Sequence, residues 1–514
     1  MNIPSAPLKI NKFIQMKGKQ QPAKKHQEQP QLFLANSNIS ALFGKNNWKS
    51  LFAPVDASSI VFFRILFGLI MLYEVSIYLS EDLIARYWLE PTHHFTYFPF
   101  DFLSPLPGKG MYYLFYLMVV LSICIILGLF YRISMMLFWC CFSYTFLLEQ
   151  TRYLNHFYLV ILVCFVMIFV PANTTTSLDS RLFKNLRSET IPLWSLWLMR
   201  FMIAVPYFYG GIAKINSDWL QGEPLKIWLR KKDDLPEFVI NLFQHDLPVL
   251  FMAYSGMCLD LFIVPALLFE KTRKWGFLAI LLFHLMNSQL FSIGIFPPFM
   301  IAATSLFFNP DWFRKIINYL TGNSWKITNN NQLFSTATTL SYKQKITVAL
   351  LVFWASIQII LPLRHFFVPG SVHWTEEGHR YSWHMKLRTK RGIGVYTAKN
   401  IKTGETEIVN VDNYLNKRQK KKMSGRPYLI WQFCQMVKKE YAKNGKEVAV
   451  FANVKATLNG RKYQQLIDST IDIASANRPI FPVSWIIPLH TPLSDKLIKN
   501  VSLDGDDTNS EGGD

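Results

Sequence analysis

The residues able to do chemistry in this chain are polar groups set inside apolar runs. The segment FHLMNSQLFSIG, Phe283 to Gly294, places His284, Asn287 and Ser288 in a stretch otherwise fit for hydrocarbon. Hydrocarbon penalises such groups unless they face a protein interior or a wet cavity. At helical spacing i, i+3 and i+4 the three fall on one stripe. A second polar pair, Asn155-His156, opens another apolar run, and Lys214 closes a third just after Tyr209, Gly210 and Gly211. An amine held in an apolar pocket has its charged form disfavoured, so it can act as a base near neutrality. The paired glycines allow a ligand or a second helix to come close. Each group also has a plainer reading: a snorkelling lysine, an N-cap asparagine, polar side chains bonding helix to helix.

The elements that must position these residues are membrane helices. Only 17% of the 514 residues are charged while 51% are hydrophobic, against about a quarter charged in soluble domains. On the criterion of ~20 apolar residues per span, about nine segments qualify: 59–79, 111–130, 134–150, 154–171, 192–213, 248–269, 274–292, 293–309 and 343–363. The expected fold is a polytopic α-helical membrane protein with a C-terminal α+β extracytoplasmic domain. Its expected divisions are a basic cytosolic arm over 1–58, the helical domain over 59–363, the second domain over 364–498 and an acidic tail over 499–514. In that domain GIGVYTAKN and GETEIVNV read as strands joined near Gly404. Pro427 to Tyr441 reads as a helix, and VAVFANVKATL before Asn459-Gly460 reads as strand then turn.

The net charge of +20 is the bias of Lys and Arg toward the cytoplasmic face rather than a nucleic-acid footprint. The run RQKKKMSGR, Arg418 to Arg426, reads as a solvated face or a contact with lipid headgroups or an acidic protein. The lysine-rich N-terminus does not read as a signal peptide. Basic segments at the N-terminus, at Lys271 to Lys274 and at Arg314 to Lys345 share the cytoplasmic side, leaving acidic Ser80 to Gly110 opposite. Nine spans then carry Asn155-His156, Lys214 and His284-Asn287-Ser288 to the outer half of the membrane. Arg64, Glu74, Arg200 and Asp260 lie in apolar runs and read as structural ion pairs. Cysteines at 124, 140, 141, 164 and 258 lie in apolar runs and Cys434 does not; their spacing gives neither a disulfide framework nor a metal site.

At these residues the chain resembles the vitamin K-dependent gamma-glutamyl carboxylase family, from about Val61 to Leu489. The resemblance is carried by VFFRILFGLIML, LSPLP, LGLFYRIS, NHFYL, IPLW, AKINSDWLQG, HLMNSQLFSIG, YSWHM and, more loosely, PVSWIIPL. It implies a transmembrane bundle with an extracytoplasmic domain. It implies oxidation of vitamin K hydroquinone by O2 to the 2,3-epoxide, coupled to CO2 addition at the γ-carbon of protein glutamate. Lys214 would deprotonate the hydroquinone; the oxygenated quinone is then the stronger base that takes the γ-proton. His156 and His284 would hydrogen-bond oxyanions as charge develops. Asn155, Asn287, Ser288, Tyr209, Gly210 and Gly211 would surround the lipid quinone. Partners implied are the quinone, a glutamate-containing protein or peptide and membrane lipids, with no metal and no nucleic acid. The chain departs from the animal pattern by stopping at 514 and by lacking a cysteine between Leu89 and Leu106. That implies a short, bacterial-type member in an inner membrane, with propeptide recognition open.

Two other readings remain from the residues. One keeps the quinone half-reaction without carboxylation. The other is a non-catalytic transporter or lipid-binding scaffold, against which stand the lack of an internal repeat and of a second broken helix to match Pro297-Pro298.

Overall fold

The computed structural model describes residues 47–322, 339–479 and 482–494. The basic arm up to residue 46 and the acidic tail lie outside the described residues. Each apolar segment of the sequence forms a helix: α1 (Ser58–Ser80), α2 (Gly110–Leu127), α3 (Tyr131–Leu148), α4 (Asn155–Phe169), α5 (Leu193–Ala213), α6 (Asp246–Leu268), α7 (Glu270–Leu290), α8 (Phe296–Thr304) and α9 (Tyr342–Leu363). Six of these, α1, α2, α3, α5, α6 and α9, are long and apolar enough to cross a membrane. The chain is therefore a mostly helical, multi-pass membrane protein, but among the described residues nine full spans are not reached by that measure. The physical reasons are local. Helix α4 has only 15 residues. Helix α8 is short and starts at a proline pair. Helix α7 carries Glu270, Lys271, Arg273 and Lys274 at one end and His284 to Gln289 at the other, which leaves a short apolar middle.

The helices pack in neighbouring pairs, α1 on α2, α3 on α4, α5 on α6 and α6 on α7. Helix α2 stops at Gly128, whose φ of 63° is left-handed. A Cβ there would stand 2.5 Å from the Arg64 Nη1, so the turn is open to glycine alone. Arg64 uses that space to donate to the carbonyls of Ala172, Ile126 and Thr176. Arg200 likewise donates to the carbonyls of Leu306 and Phe308. Both arginines were expected in ion pairs, and both instead bond backbone carbonyls at helix ends and in the loop after α4, groups that are costly to leave unpaired in an apolar setting. Glu74 faces Arg152, near the end of α3.

After α9 the chain forms the second domain. Strands β1 (Lys390–Asn400), β2 (Thr406–Ile408), β3 (Val448–Leu458) and β4 (Gln464–Gln465) make an antiparallel sheet of order β2-β1-β3-β4. The long pair runs in register from Lys390 opposite Leu458 to Asn400 opposite Val448. Alternate residues of β3, including Val448, Val450, Ala452, Val454 and Ala456, are buried against α10 (Pro427–Lys443) and its Phe433 and Val437. This is the period-two pattern of a one-sided sheet.

The domains are locked where the turn after β3 meets the chain just past α5. Arg461 grips Asp218 with both guanidinium nitrogens, Nη1 to Oδ2 and Nη2 to Oδ1 at 2.7 Å each, and Asn459 donates to Oδ2 at 2.8 Å. Burial pushes the Asp218 carboxyl up, but the bonds from Arg461 and Asn459 outweigh it and hold the carboxyl below its usual range.

Candidate functional site

Lys214 caps the C-terminal end of α5, where its own N–H bonds the Gly211 carbonyl and the Ile215 N–H bonds that of Ile212. The following segment INSDW turns sharply because Asn216 Oδ1 accepts from the Trp219 N–H at 3.0 Å. Trp219 is pinned by its indole N–H to the Ala253 carbonyl. The lysine does not snorkel: it is 7% exposed, and its Nζ turns inward to Asp260 Oδ2 at 2.5 Å, with the Gly210 carbonyl at 3.4 Å. Asp260, read from sequence as a structural charge, is therefore the counter-ion of the candidate base.

Gly211 explains how an acid on α6 reaches a lysine on α5. A Cβ at Gly211 would stand 2.7 Å from Leu261 Cγ and 3.0 Å from its backbone N, so the two helices touch backbone to backbone there. A Cβ at Gly210 would meet Met385 Cε at 3.2 Å and Asp260 Oδ2 at 3.3 Å. Of the two uses open to the glycines, Gly211 serves close helix approach.

Lys214 and Asp260 line a cavity of about 120 Å³, together with Asn155, His156, Tyr207, His284 and Asn287. Its apolar walls include Phe283, Met286, Phe291, Phe296 and Met300. Three regions far apart in sequence thus face one space. His284 is buried; its Nε2 shares a hydrogen bond with the Tyr207 hydroxyl at 2.8 Å, and its Nδ1 has no hydrogen-bond partner among the described residues. His156 packs against Phe157 and Phe296.

Other residues expected at the site stand differently. Asn155 is not an N-cap: its amide donates to the His384 carbonyl at 3.1 Å and its Oδ1 accepts from the Tyr153 hydroxyl. It lines the cavity while tying down a segment of the second domain. Ser288 is exposed, with its hydroxyl bonded to the Leu285 carbonyl, and lies off the cavity. At about 100° per residue it stands a quarter turn from Asn287, so a cavity facing Asn287 and Phe283 misses it. Tyr209 also lies off the cavity and donates to the Ile359 carbonyl on α9 at 2.6 Å. Among the described residues, no group of three or more His, Cys, Asp or Glu could hold a metal ion.

Sequence reasoning missed the segment Tyr381 to Lys386, whose Met385 and Lys386 complete the cavity wall from the second domain. Trp383 is buried in the core of the helical domain, and the Tyr381 N–H donates to the Tyr153 hydroxyl at 2.7 Å. The YSWHM match was the signal, but its chain distance from the helices hid its destination. Beneath it His384 lies 4.6, 5.0 and 5.4 Å, between ring centroids, from His365, His373 and His379. Burial, reinforced by Arg388, holds His373 down to about 3. Burial likewise keeps His379 and His384 well below the usual histidine range.

Comparison with known proteins agrees with this two-part construction. The family model described as HTTM domain matches residues 52–312. That described as vitamin K-dependent gamma-carboxylase, lumenal domain, matches residues 343–492, so its match takes in α9. No solved structure matches the chain. With the helical cavity matched by the one and its closing segment by the other, the chain belongs to the vitamin K-dependent gamma-carboxylase family.

Proposed function

We propose that the cavity oxidises vitamin K hydroquinone with O2 to the 2,3-epoxide and water, and uses the base so formed to exchange a γ-proton of glutamate for CO2. The observation that carries this reading is the meeting of Lys214, Asp260, His284 and Asn155-His156 in one cavity, with a wall supplied by the segment at Met385 and Lys386. In this reading Lys214 takes the hydroquinone proton. Asp260 positions the ammonium that results and offsets its charge, which a dry site otherwise makes costly. The unpartnered Nδ1 of His284 and the ring of His156 are placed to hydrogen-bond oxygen atoms as negative charge develops. The apolar walls exclude water that would quench a carbanion. Met286 lines the cavity and is 40% exposed on the apolar surface of α7, a suitable entrance for a long isoprenoid tail. Asn155 has the role of positioning the closing segment, and Asn287 that of contacting the quinone. In the same reading the N-terminus lies in the cytoplasm, the second domain outside it, and the protein in a bacterial inner membrane, supported by the charge bias of the loops.

The test is turnover of purified protein in nanodiscs with reduced vitamin K, O2, bicarbonate and a glutamyl peptide, following epoxide and carboxylated peptide separately. Both products are expected, and both should disappear in Lys214→Ala. Epoxide without carboxylated peptide would sink the coupling. Turnover undiminished in Lys214→Ala would sink the assignment of the base.

A further inference from the structure

We propose that the short helix Glu237–Gln244, between α5 and α6, is a membrane-interface anchor: its Phe238 and Leu242 sink among the acyl chains of the leaflet beside α6, whether or not the catalytic reading holds. Helical periodicity divides these eight residues into three strips. Glu237, Asn241 and Gln244 fall at i, i+4 and i+7 and are exposed. Val239 and Phe243 make a second strip and join an apolar cluster with Trp219, Leu225 and Leu229. Phe238 and Leu242 make the third, and they are 74% and 48% exposed. A polar strip beside an uncovered apolar one is the pattern of a helix lying in an interface, with one edge wet and the other in hydrocarbon.

The neighbouring helix says what covers the third strip. Helix α6 is long and apolar enough to cross a membrane. Its Leu247, Phe251, Tyr254, Cys258 and Phe262 recur at i, i+4, i+7, i+11 and i+15 and are all exposed, so they form the stripe that α6 turns to lipid. The anchor helix packs on α6, and His245 alone separates it from Asp246, where α6 starts. Asp246 is held by Lys226 at 3.1 Å and by Arg230, which ties the chain ahead of the anchor to the head of the same helix. From residue 226 to 246 four basic residues face four acidic ones. The attraction is therefore the apolar one and asks for no anionic headgroup.

The anchor reaches the cavity from behind. Trp219 and Leu225, which share its cluster, line the cavity. Trp228 stands edge-on to Phe291, another lining residue, with ring centroids 5.9 Å apart. Leu387 of the second domain joins the same cluster. Lipid that holds Phe238 and Leu242 thus steadies one side of the cavity, and that side loosens when the two side chains lose their lipid.

The experiment uses full-length protein in phosphatidylcholine nanodiscs, with the photo-crosslinker benzoylphenylalanine at position 238 or, as control, at position 241. After illumination, mass spectrometry should find a phospholipid adduct at 238 and none above background at 241. Hydrogen exchange of the Leu225–Leu229 amides is then compared between wild type and Phe238→Asp with Leu242→Asp, with thermal melting to confirm the fold. Exchange should quicken about tenfold or more, the factor for losing the burial of one large apolar side chain. Phe238→Ser alone should shift it the same way by less, and Asn241→Asp should leave it unchanged. Equal lipid adducts at 238 and 241, or an adduct at 238 with a second copy of the chain in place of lipid, would overturn the proposal. Exchange at the wild-type rate in both the double variant and Phe238→Ser would overturn it as well.

Discussion

Replacing Arg461 with methionine should loosen the wall of a cavity it does not touch. The guanidinium and the Asp218 carboxylate are buried to 7% and 10% side-chain exposure and joined by two bonds of 2.7 Å. Removing one member of a buried pair leaves the other charged and dry, at a cost of about 3–5 kcal/mol. Asn459 remains on Asp218 Oδ2, which argues for the lower end, about 3 kcal/mol. Removing both charges, in Asp218→Asn with Arg461→Met, should cost only about 1 kcal/mol, that of ordinary neutral hydrogen bonds. The assay is hydrogen exchange of the amides of Tyr381 to Lys386, which reads the free energy of local opening, alongside turnover. Protection should fall in Arg461→Met and largely return in the double variant. Protection equal to wild type in Arg461→Met, or a double variant worse than the single one, would refute the reasoning that this pair holds the domains together.

Three further outcomes follow from the geometry. Gly211→Val should force α5 from α6, since even a Cβ falls 2.7 Å from Leu261; an overpacking loss of about 1–3 kcal/mol and lost turnover are expected in melting and activity assays. Tyr207→Phe should cost about 1–3 kcal/mol by leaving the buried His284 with neither ring nitrogen bonded to the described residues, read by melting and by a drop in kcat. The protein should lose stability as pH falls below the ordinary histidine range. The unfolded chain takes up protons near pH 6.5, whereas the folded state refuses one at His373 until about 3. The slope expected across that window is about 1.4 kcal/mol per pH unit for each such histidine. A melting series in which His373→Phe leaves the slope unchanged would count against it.

Much of the site was legible because membranes are severe judges of polarity. His284, Lys214 and Asn155-His156 stood out against apolar neighbours, and each lines the cavity. The strands about Gly404 and the turn at Asn459-Gly460 were legible from alternation and turn chemistry. Partnership was not legible. Asp260 stood out equally well, but nothing in one dimension says that its cation is Lys214, 46 positions earlier. Ser288 lies off the cavity because three residues on one stripe still span too wide an arc for one small cavity. Among the described residues the count of nine is not reached at α4, α7 and α8, where the helix is short, starts at a proline pair or has polar ends.

The segment from Tyr381 to Lys386 has a consequence for the order in which the protein becomes dangerous. Lys214, Asp260 and His284 are all synthesised before the chain reaches residue 381. On the proposed reading, a nascent chain paused there would hold the base, its counter-ion and an imidazole before Met385 and Lys386 supply their part of the cavity wall. Oxygen chemistry begun at that stage would, on the same reading, spend its strong base on solvent. Because Met385 and Lys386 come from the later-made domain, the chemistry proposed above gains its full chamber only once that domain is in place.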